Sequence, residues 1–312
     1  MLGTTLLLLI ALLALSVPVA AVMGVLGLAL NQFFASMPLH RAMGEIIWNA
    51  SSEYILIAIP LFVMLGEILL RAGIAERVYN AVAQWLSWLP GGLMHANIGS
   101  CAMFAATSGS SVATAATIGT VALPQLHRRK YDEPLFLGTI AAGGTLGILI
   151  PPSINFILYG LLTNSSVPRL YLAGFIPGFT LAFLFMVIVF FACIADPRKG
   201  GVPVETTWGQ RIRALPSVIP PTFIFLVVVG SIYAGIATPT EAASLGVIAA
   251  LLLAAWERRV SLPMLRAVAE GTMRTTAMIM LIIMAAQFLN FVLAAIGVTE
   301  GLGKIIEDLG LG

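Results

Sequence analysis

Long stretches without a charged side chain constrain this sequence more than any other feature. Aspartate, glutamate, lysine and arginine make up only 10% of the 312 residues, against about 25% in typical soluble domains. Uncharged apolar runs of about 20 residues are long enough to span a lipid bilayer. The runs exclude a soluble enzyme, a disordered tail and a nucleic-acid-binding protein, and they predict an all-α, multi-pass membrane protein. They cover residues 1–40, 54–66, 78–127, 134–168, 170–195, 214–240, 242–256 and 275–299.

The apolar runs predict seven membrane-embedded segments and leave one stretch ambiguous. No basic residue precedes Arg41, so the N-terminal run lacks the basic leader of a signal peptide, and we expect it to stay in the protein with a break or bend at Pro18. The uncharged stretch 92–126 fits either a re-entrant hairpin or two short spans. The predicted segments lie near 4–30, 53–71, 134–163, 170–195, 217–236, 241–256 and 275–295.

The distribution of basic residues favours the hairpin. Most of the 16 lysines and arginines fall in four linkers, around 71–77, 128–130, 198–213 and 258–274. The positive-inside bias predicts that all four linkers are cytoplasmic. The first two lie on one side only if 92–126 enters and leaves the membrane by the same face. Its middle reads Thr-Ser-Gly-Ser-Ser at 107–111, and non-helical backbone at membrane depth occurs only where protein buries it or it lines a wet cavity. This tip is therefore a candidate site.

An internal repeat is indicated by the similarity of residues 72–82 to residues 296–306, at an offset of 224. The predicted spans place the two copies on opposite sides of the membrane, which is an inverted repeat of the kind found in secondary transporters. The counterpart of the hairpin would then begin beyond residue 312. We therefore expect the sequence to be a fragment of a chain of roughly 419 residues.

A second candidate site lies at the adjacent prolines Pro151 and Pro152, in the middle of the run 134–168. Proline lacks an amide hydrogen and clashes with the carbonyl four residues earlier. We therefore expect a broken helix with free carbonyls at Gly147 and Ile148, and a second half that begins at Pro151 with exposed amides at the positive end of its dipole.

These groups suit a transporter that couples an anion to a small cation. Free carbonyls and hydroxyls are ligands for an alkali cation, while exposed amides, with Ser153 and Asn155, suit a carboxylate. No Asp or Glu lies in the runs that carry the two candidate sites, which favours sodium over proton coupling. We expect no cofactor and no transition metal, with Na⁺ as the coupling ion.

Four motifs resemble the large membrane subunit of tripartite ATP-independent periplasmic (TRAP) transporters, the DctM-like family. The resemblance extends from about residue 5 to residue 312. The motifs are SGSSVATAATIG at 108–119, GILIPPSI at 147–154 with LYG at 158–160, LAGFIPG at 172–178 and TPTEAA at 238–243.

The resemblance implies a sodium-driven importer of organic acids, such as C4-dicarboxylates or sialic-acid-like carboxylates, in the bacterial inner membrane. It implies a small DctQ-like membrane subunit and a periplasmic DctP-like binding protein as partners, with no nucleic acid, and an elevator motion. The expected divisions are 1–91 (scaffold spans and arm helix), 92–195 (first half of the transport domain) and 196–312 (linker and scaffold spans of the second repeat).

The resemblance, carried over residue by residue onto the two motifs, implies the site residues. The expected sodium-binding residues are Ser108, Gly109, Ser110, Gly147, Ile148, Ile150 and Pro151, and the expected substrate-binding residues are Ser111, Thr114, Ser153 and Asn155. Many family members carry Asp at the position of Thr114, so any role of that carboxylate is absent here.

Three alternatives stay open at this stage. A related sodium or proton/anion transporter could work without a binding protein. An intramembrane serine hydrolase would need Ser110 or Ser111 beside a basic group. His95 is the only histidine in the stretch 92–126, which contains both serines. A purely structural membrane subunit is the third.

Overall fold

The computed structural model describes residues 2–202, 204, 206–308 and 310, and this part of the chain is helical with no β-strand. The prediction of an all-α membrane protein is confirmed. The helices are α1 (Leu2–Ala14), α2 (Val19–Phe34), α3 (Met43–Ser51), α4 (Ala58–Arg71), α5 (Ile74–Leu86), α6 (Leu93–Ser108), α7 (Ser111–Arg128), α8 (Glu133–Leu149), α9 (Ile154–Thr163), α10 (Val167–Ala195), α11 (Trp208–Ala214), α12 (Ile219–Tyr233), α13 (Pro239–Trp256), α14 (Leu262–Ala295) and α15 (Val298–Asp308).

Six of the seven predicted spans correspond to helices, or bent helix pairs, long and apolar enough to cross a bilayer. Four are single helical segments, at Tyr54–Arg71, Val167–Ala195, Pro239–Trp256 and Leu262–Ala295. Two are pairs, α8 with α9 bent by 43° and Trp208–Ser217 with α12 bent by 41°. The predicted 4–30 segment is divided into the shorter helices α1 and α2, with Pro18 as the N-cap of α2, so the break expected at Pro18 is confirmed.

The chain divides into two compact units. The first contains residues 1–54 and 274–312, and the second contains residues 55–273. In the first unit, Leu26 and Leu30 of α2 pack with Phe288 and Val292 of α14 in a buried cluster. A methyl group added at Gly27 would lie 2.9 Å from the Phe288 ring, so this small residue allows α2 to approach α14 closely.

The second unit contains the predicted hairpin. Neither α6 nor α7 is among the helices long and apolar enough to span a membrane. On α6, Asn97 Nδ2 donates to Thr139 Oγ1 and Cys101 packs on Gly143, so α6 runs parallel to α8. On α7, Gly119 lies near Ile140 and Ala115 packs on Gly144, so α7 runs antiparallel to α8. The two helices therefore form a helical hairpin along α8.

Local structure supports the internal repeat. Gly73 before α5 and Gly297 before α15 both adopt a left-handed conformation, with φ of +72° and +77°. Each amide donates to the carbonyl three residues earlier, Gly73 to Leu70 and Gly297 to Ala294. Each glycine thus ends one helix and starts an amphipathic one. The inverted relation of the two halves stays a prediction, as do the three predicted divisions of the chain.

The fourth motif caps a helix, as its sequence predicts. Thr238 is the N-cap of α13: its Oγ1 accepts from the amide of Glu241, and a Glu241 carboxylate oxygen accepts from the amide of Thr238 at 2.8 Å. The reciprocal pair is a capping box, which satisfies two amides at the start of this span.

The glycines of α8 provide a test of this packing. Gly144→Ala should lower the free energy of unfolding by about 1–3 kcal/mol, because the new methyl group would lie 2.6 Å from the Ala115 Cβ atom, which cannot move without its backbone. Gly138→Ala, on the same helix with nothing within 4 Å, should be neutral or stabilising by up to about 1 kcal/mol. Denaturant unfolding in detergent compares the two, and equal stabilities would contradict the packing.

Candidate functional site

The tip of the hairpin is a two-residue turn between α6 and α7. Gly109 follows the last residue of α6 with φ of +62°, a conformation that side chains rarely adopt. Ser110 is extended and is the N-cap of α7, since its Oγ accepts from the Ala113 amide at 3.3 Å. The Ser-Gly-Ser sequence therefore reverses the chain with one glycine and one capping serine.

The break between α8 and α9 begins where the sequence predicts, but the second helix begins later. Helix α9 begins at Ile154 with Ser153 as its N-cap, so the predicted start at Pro151 is wrong. The physical reason is that a residue before proline avoids the helical conformation. Pro152 disfavours the helical conformation at Pro151, and Ile150, which precedes Pro151, is extended with ψ of 118°.

The carbonyls at the end of α8 also differ from the prediction in one respect. Ser153 Oγ donates to the Ile148 carbonyl at 2.6 Å, so the prediction that this carbonyl is free is wrong. The serine replaces the amide that Pro152 lacks. Ser153 is completely buried, and its hydroxyl hydrogen is used within the broken helix.

The structure brings the two breaks together. Ile154 N donates to the Gly109 carbonyl at 3.4 Å, which joins the start of α9 to the hairpin tip. A methyl group added at Gly109 would lie 2.7 Å from the Pro152 carbonyl, and one added at Gly147 would lie 2.6 Å from the Ser110 carbonyl. Backbone therefore meets backbone on both sides of the tip. The hairpin tip therefore faces the Pro-Pro break.

Two hydroxyls are buried at this junction. Ser108 Oγ and Thr114 Oγ1 lie 3.0 Å apart, and both residues are almost completely inaccessible. Thr114, which is predicted from the sequence to bind the substrate, thus contacts Ser108, which is predicted to bind sodium. The arrangement puts hydroxyl oxygens beside the carboxyl end of α6, where the last carbonyls have no partner within their own helix.

The remaining predicted residues are more accessible. Ser110 and Ser111 are half-buried at the start of α7, while Asn155 is exposed in the first turn of α9. Both helices begin at the junction, so their first amides present the positive ends of two helix dipoles. Ile150 and Pro151 are buried beside the tip and have apolar side chains, so only their carbonyl oxygens could bind a cation.

Three glycines that position the junction are absent from the predicted set. Gly66 of α4 lies against Ser108, where an added methyl group would be 3.2 Å from the Ser108 Cβ atom. Gly174 and Gly178 of α10 pack on Leu149 and Ile150 at the end of α8. The spacing of the last two, four residues apart in an apolar span, is the sequence signal for close helix contact.

Comparison with known proteins agrees with this architecture. Residues 6–312 match the DctM component of tripartite ATP-independent periplasmic transporters. The chain belongs to the DctM family. Its members are transporter components rather than enzymes, and the predicted family is confirmed. The apolar helices identify this DctM chain as a multi-pass membrane protein.

Three curated DctM relatives are about one third identical to the chain. They are the C4-dicarboxylate TRAP transporter large permease protein DctM of Pseudomonas aeruginosa (31% identity, 87% of this chain and 63% of the relative), the ectoine TRAP transporter large permease protein TeaC of Halomonas elongata (33%, 78% and 60%) and the C4-dicarboxylate protein DctM of Rhodobacter capsulatus (31%, 97% and 72%). The chain spans less than two thirds of the length of the first two.

A double-mutant cycle tests the buried hydroxyl pair of the DctM junction. Ser108→Ala should cost about 1–3 kcal/mol of unfolding free energy, because it leaves the Thr114 hydroxyl buried without its partner. Thr114→Val should cost a similar amount, and the double variant should cost less than the sum, with a coupling of at least about 0.5 kcal/mol. Additive effects in chemical unfolding would show that the two hydroxyls do not interact.

Proposed function

We propose that the chain is part of the membrane permease of a sodium-coupled importer of organic acids. The observation that carries the proposal is the meeting of two helix breaks, one at Ser108–Ser110 and one at Leu149–Ser153. Discontinuous helices that meet in the membrane are the usual way in which a secondary transporter forms its ion and substrate sites.

The carboxyl ends of α6 and α8 supply the proposed sodium ligands. The Gly147 carbonyl has no helical partner, since residue 151 is proline. Ser108 Oγ adds a hydroxyl oxygen in the hairpin tip, where it lies 3.0 Å from Thr114 Oγ1. In our proposal Ser108, Gly109, Ser110, Gly147, Ile148, Ile150 and Pro151 surround the ion, mainly through backbone oxygens.

Sodium is favoured over a proton by the chemistry of the junction. Proton relays in transporters use Asp, Glu or His side chains. The polar groups that meet at the tip and at the Pro-Pro break are hydroxyls, amides and carbonyls. A neutral oxygen site can bind a cation but cannot exchange a proton near neutral pH.

The amino ends of α7 and α9 supply the proposed substrate groups. Ser111 and Asn155 lie in the first turns of these helices, where unpaired amides favour an anion such as a carboxylate. Ser153 and Thr114 support this side through buried hydrogen bonds rather than by direct contact. Named substrates of the relatives are C4-dicarboxylates and ectoine, so the fold serves more than one organic solute.

The family also motivates the proposed partners and location. We propose that the permease works in the bacterial inner membrane with a DctQ-like small membrane subunit. A DctP-like periplasmic binding protein would deliver the acid, as the tripartite and periplasmic terms of the family description indicate. An elevator motion, in which the hairpin and the broken helix move together, is consistent with their tight backbone contact.

The test is solute uptake by the complete permease, reconstituted with its small subunit and binding protein, as a function of sodium concentration. Pro151→Ala restores an amide that can capture the Gly147 carbonyl, and Ser108→Ala removes a hydroxyl. Each should raise the sodium concentration for half-maximal uptake about tenfold, which corresponds to about 1.4 kcal/mol of binding free energy.

Thr120→Val is the matched control, because its hydroxyl on α7 donates to the Thr117 carbonyl of the same helix, away from the tip. Its sodium dependence should equal that of the unchanged permease. A sodium dependence unaffected by Pro151→Ala and Ser108→Ala in well-folded protein would refute the proposed ion site. Full uptake without the binding protein would instead favour a transporter that needs no partner.

A further inference from the structure

A polar cavity lies between α5 and the segment Trp208–Ser217. Its volume is about 250 Å³, roughly that of eight water molecules at about 30 Å³ each. That volume accommodates a phosphate group and part of a headgroup. The described residues of its wall have side chains that donate hydrogen bonds, and none of these is a carboxylate: Arg77, Asn80, Gln84, Gln210, Arg213 and Ser217, with two alanines.

One arginine in this wall has no ion-pair partner among the described residues. Arg77 forms an ion pair with Glu257, with 2.7 Å between Nη1 and Oε1. Arg213 takes part in none of the ion pairs found in the described part of the chain. The cavity thus keeps a net positive charge after the Arg77 pair is counted, and it favours an anion.

The helix that forms one wall of the cavity is itself amphipathic. Gln210, Arg213 and Ser217 face the cavity. Trp208, Ile212 and Leu215 are spaced like one face of a helix, and they are 69%, 60% and 45% exposed. At about 100° per residue these two sets lie on opposite faces of the helix, so a molecule with a charged head in the cavity and a hydrocarbon tail would extend along the side of the helix from the polar face to the apolar one.

Specific contacts fix this helix against α5. Trp85 Nε1 donates to the Arg211 carbonyl at 3.1 Å, and the rings of Trp85 and Trp208 pack edge to face with centroids 6.4 Å apart. Thr206 Oγ1 donates to the Gln84 carbonyl at 3.4 Å. The cavity is thus a defined space rather than a gap between mobile side chains.

We infer that this cavity binds the phosphate of an anionic phospholipid, with the acyl chains along Trp208, Ile212 and Leu215. The positive-inside bias places the basic linker at 198–213 on the cytoplasmic side, and anionic lipids there attract basic residues near the membrane surface. The apolar face favours a lipid over free phosphate. The site does not depend on the sodium proposal, because it lies on α5 and α11, away from the hairpin tip.

The experiment is lipid retention by the purified permease in detergent, measured by native mass spectrometry during titration with phosphatidylglycerol or phosphatidylcholine of matched chains. The permease should retain phosphatidylglycerol in preference to phosphatidylcholine. Arg213→Gln should weaken phosphatidylglycerol retention about fivefold, as expected for loss of one arginine at an anionic surface. Ile212→Ser should also weaken it, since the acyl chains lose an apolar contact.

Arg198→Gln is the control, because Arg198 lies in the same basic linker but outside the cavity wall. It should leave retention unchanged. Equal retention of the two lipids, or retention unaffected by Arg213→Gln, would overturn the inference. So would complete displacement of phosphatidylglycerol by inorganic phosphate, which would identify a site for the free anion.

Discussion

The backbone of this protein has to satisfy its own hydrogen-bonding groups wherever it leaves the helical conformation inside the membrane. Hydrocarbon supplies no hydrogen bonds, and an unpaired amide or carbonyl there costs several kcal/mol. The chain interrupts two helices, at Gly109 and at Ile150–Ser153, and it brings the interruptions together. The Ile154 amide donates to the Gly109 carbonyl, and Ser153 Oγ donates to the Ile148 carbonyl. The hydrogen bond from Ile154 to Gly109 thus pairs an amide of one break with a carbonyl of the other.

Close backbone approach makes this arrangement possible. Gly147 lets the end of α8 touch the Ser110 backbone, and Gly144 and Gly143 extend the contact along both legs of the hairpin. Gly66 lies against Ser108. Few larger side chains could occupy these positions without separating the two breaks. These glycines therefore allow close helix packing, and they also keep the polar groups of the two breaks close enough to interact.

Much of this site could be predicted from the sequence, because proline and glycine act through local geometry. The break at Pro151–Pro152, the turn at Gly109 and the role of Thr238 as a cap each follow from one residue type in an apolar context. The positive charges of the linkers favour a re-entrant hairpin at 92–126 over two short spans. The contacts of α6 and α7 with α8 confirm an antiparallel pair of helices, and its re-entrant placement in the membrane stays a prediction.

The features that the sequence did not reveal depend on contacts between distant segments. Helix α9 begins at Ile154 rather than at the predicted Pro151, because the second proline restrains the backbone of the first. The Ile148 carbonyl accepts a hydrogen bond from the hydroxyl of Ser153, five residues later. The contact of Thr114 with Ser108 and the contact of Gly66 with the tip depend on how the chain folds back on itself. The pattern of apolar residues within one helix does not show which other helix each of its faces will contact.

The most direct test of the account is the sidedness of the residues that flank the hairpin. Glu76→Cys, Lys130→Cys and Asn164→Cys each place a thiol at an exposed position, and the native Cys101 and Cys193 are buried. Labelling with a membrane-impermeant maleimide in intact and permeabilised cells locates each thiol. The account predicts that Glu76→Cys and Lys130→Cys react from the cytoplasm and Asn164→Cys from the opposite side. Labelling of Glu76→Cys and Lys130→Cys from opposite sides would show that 92–126 crosses the membrane once, and it would contradict the hairpin.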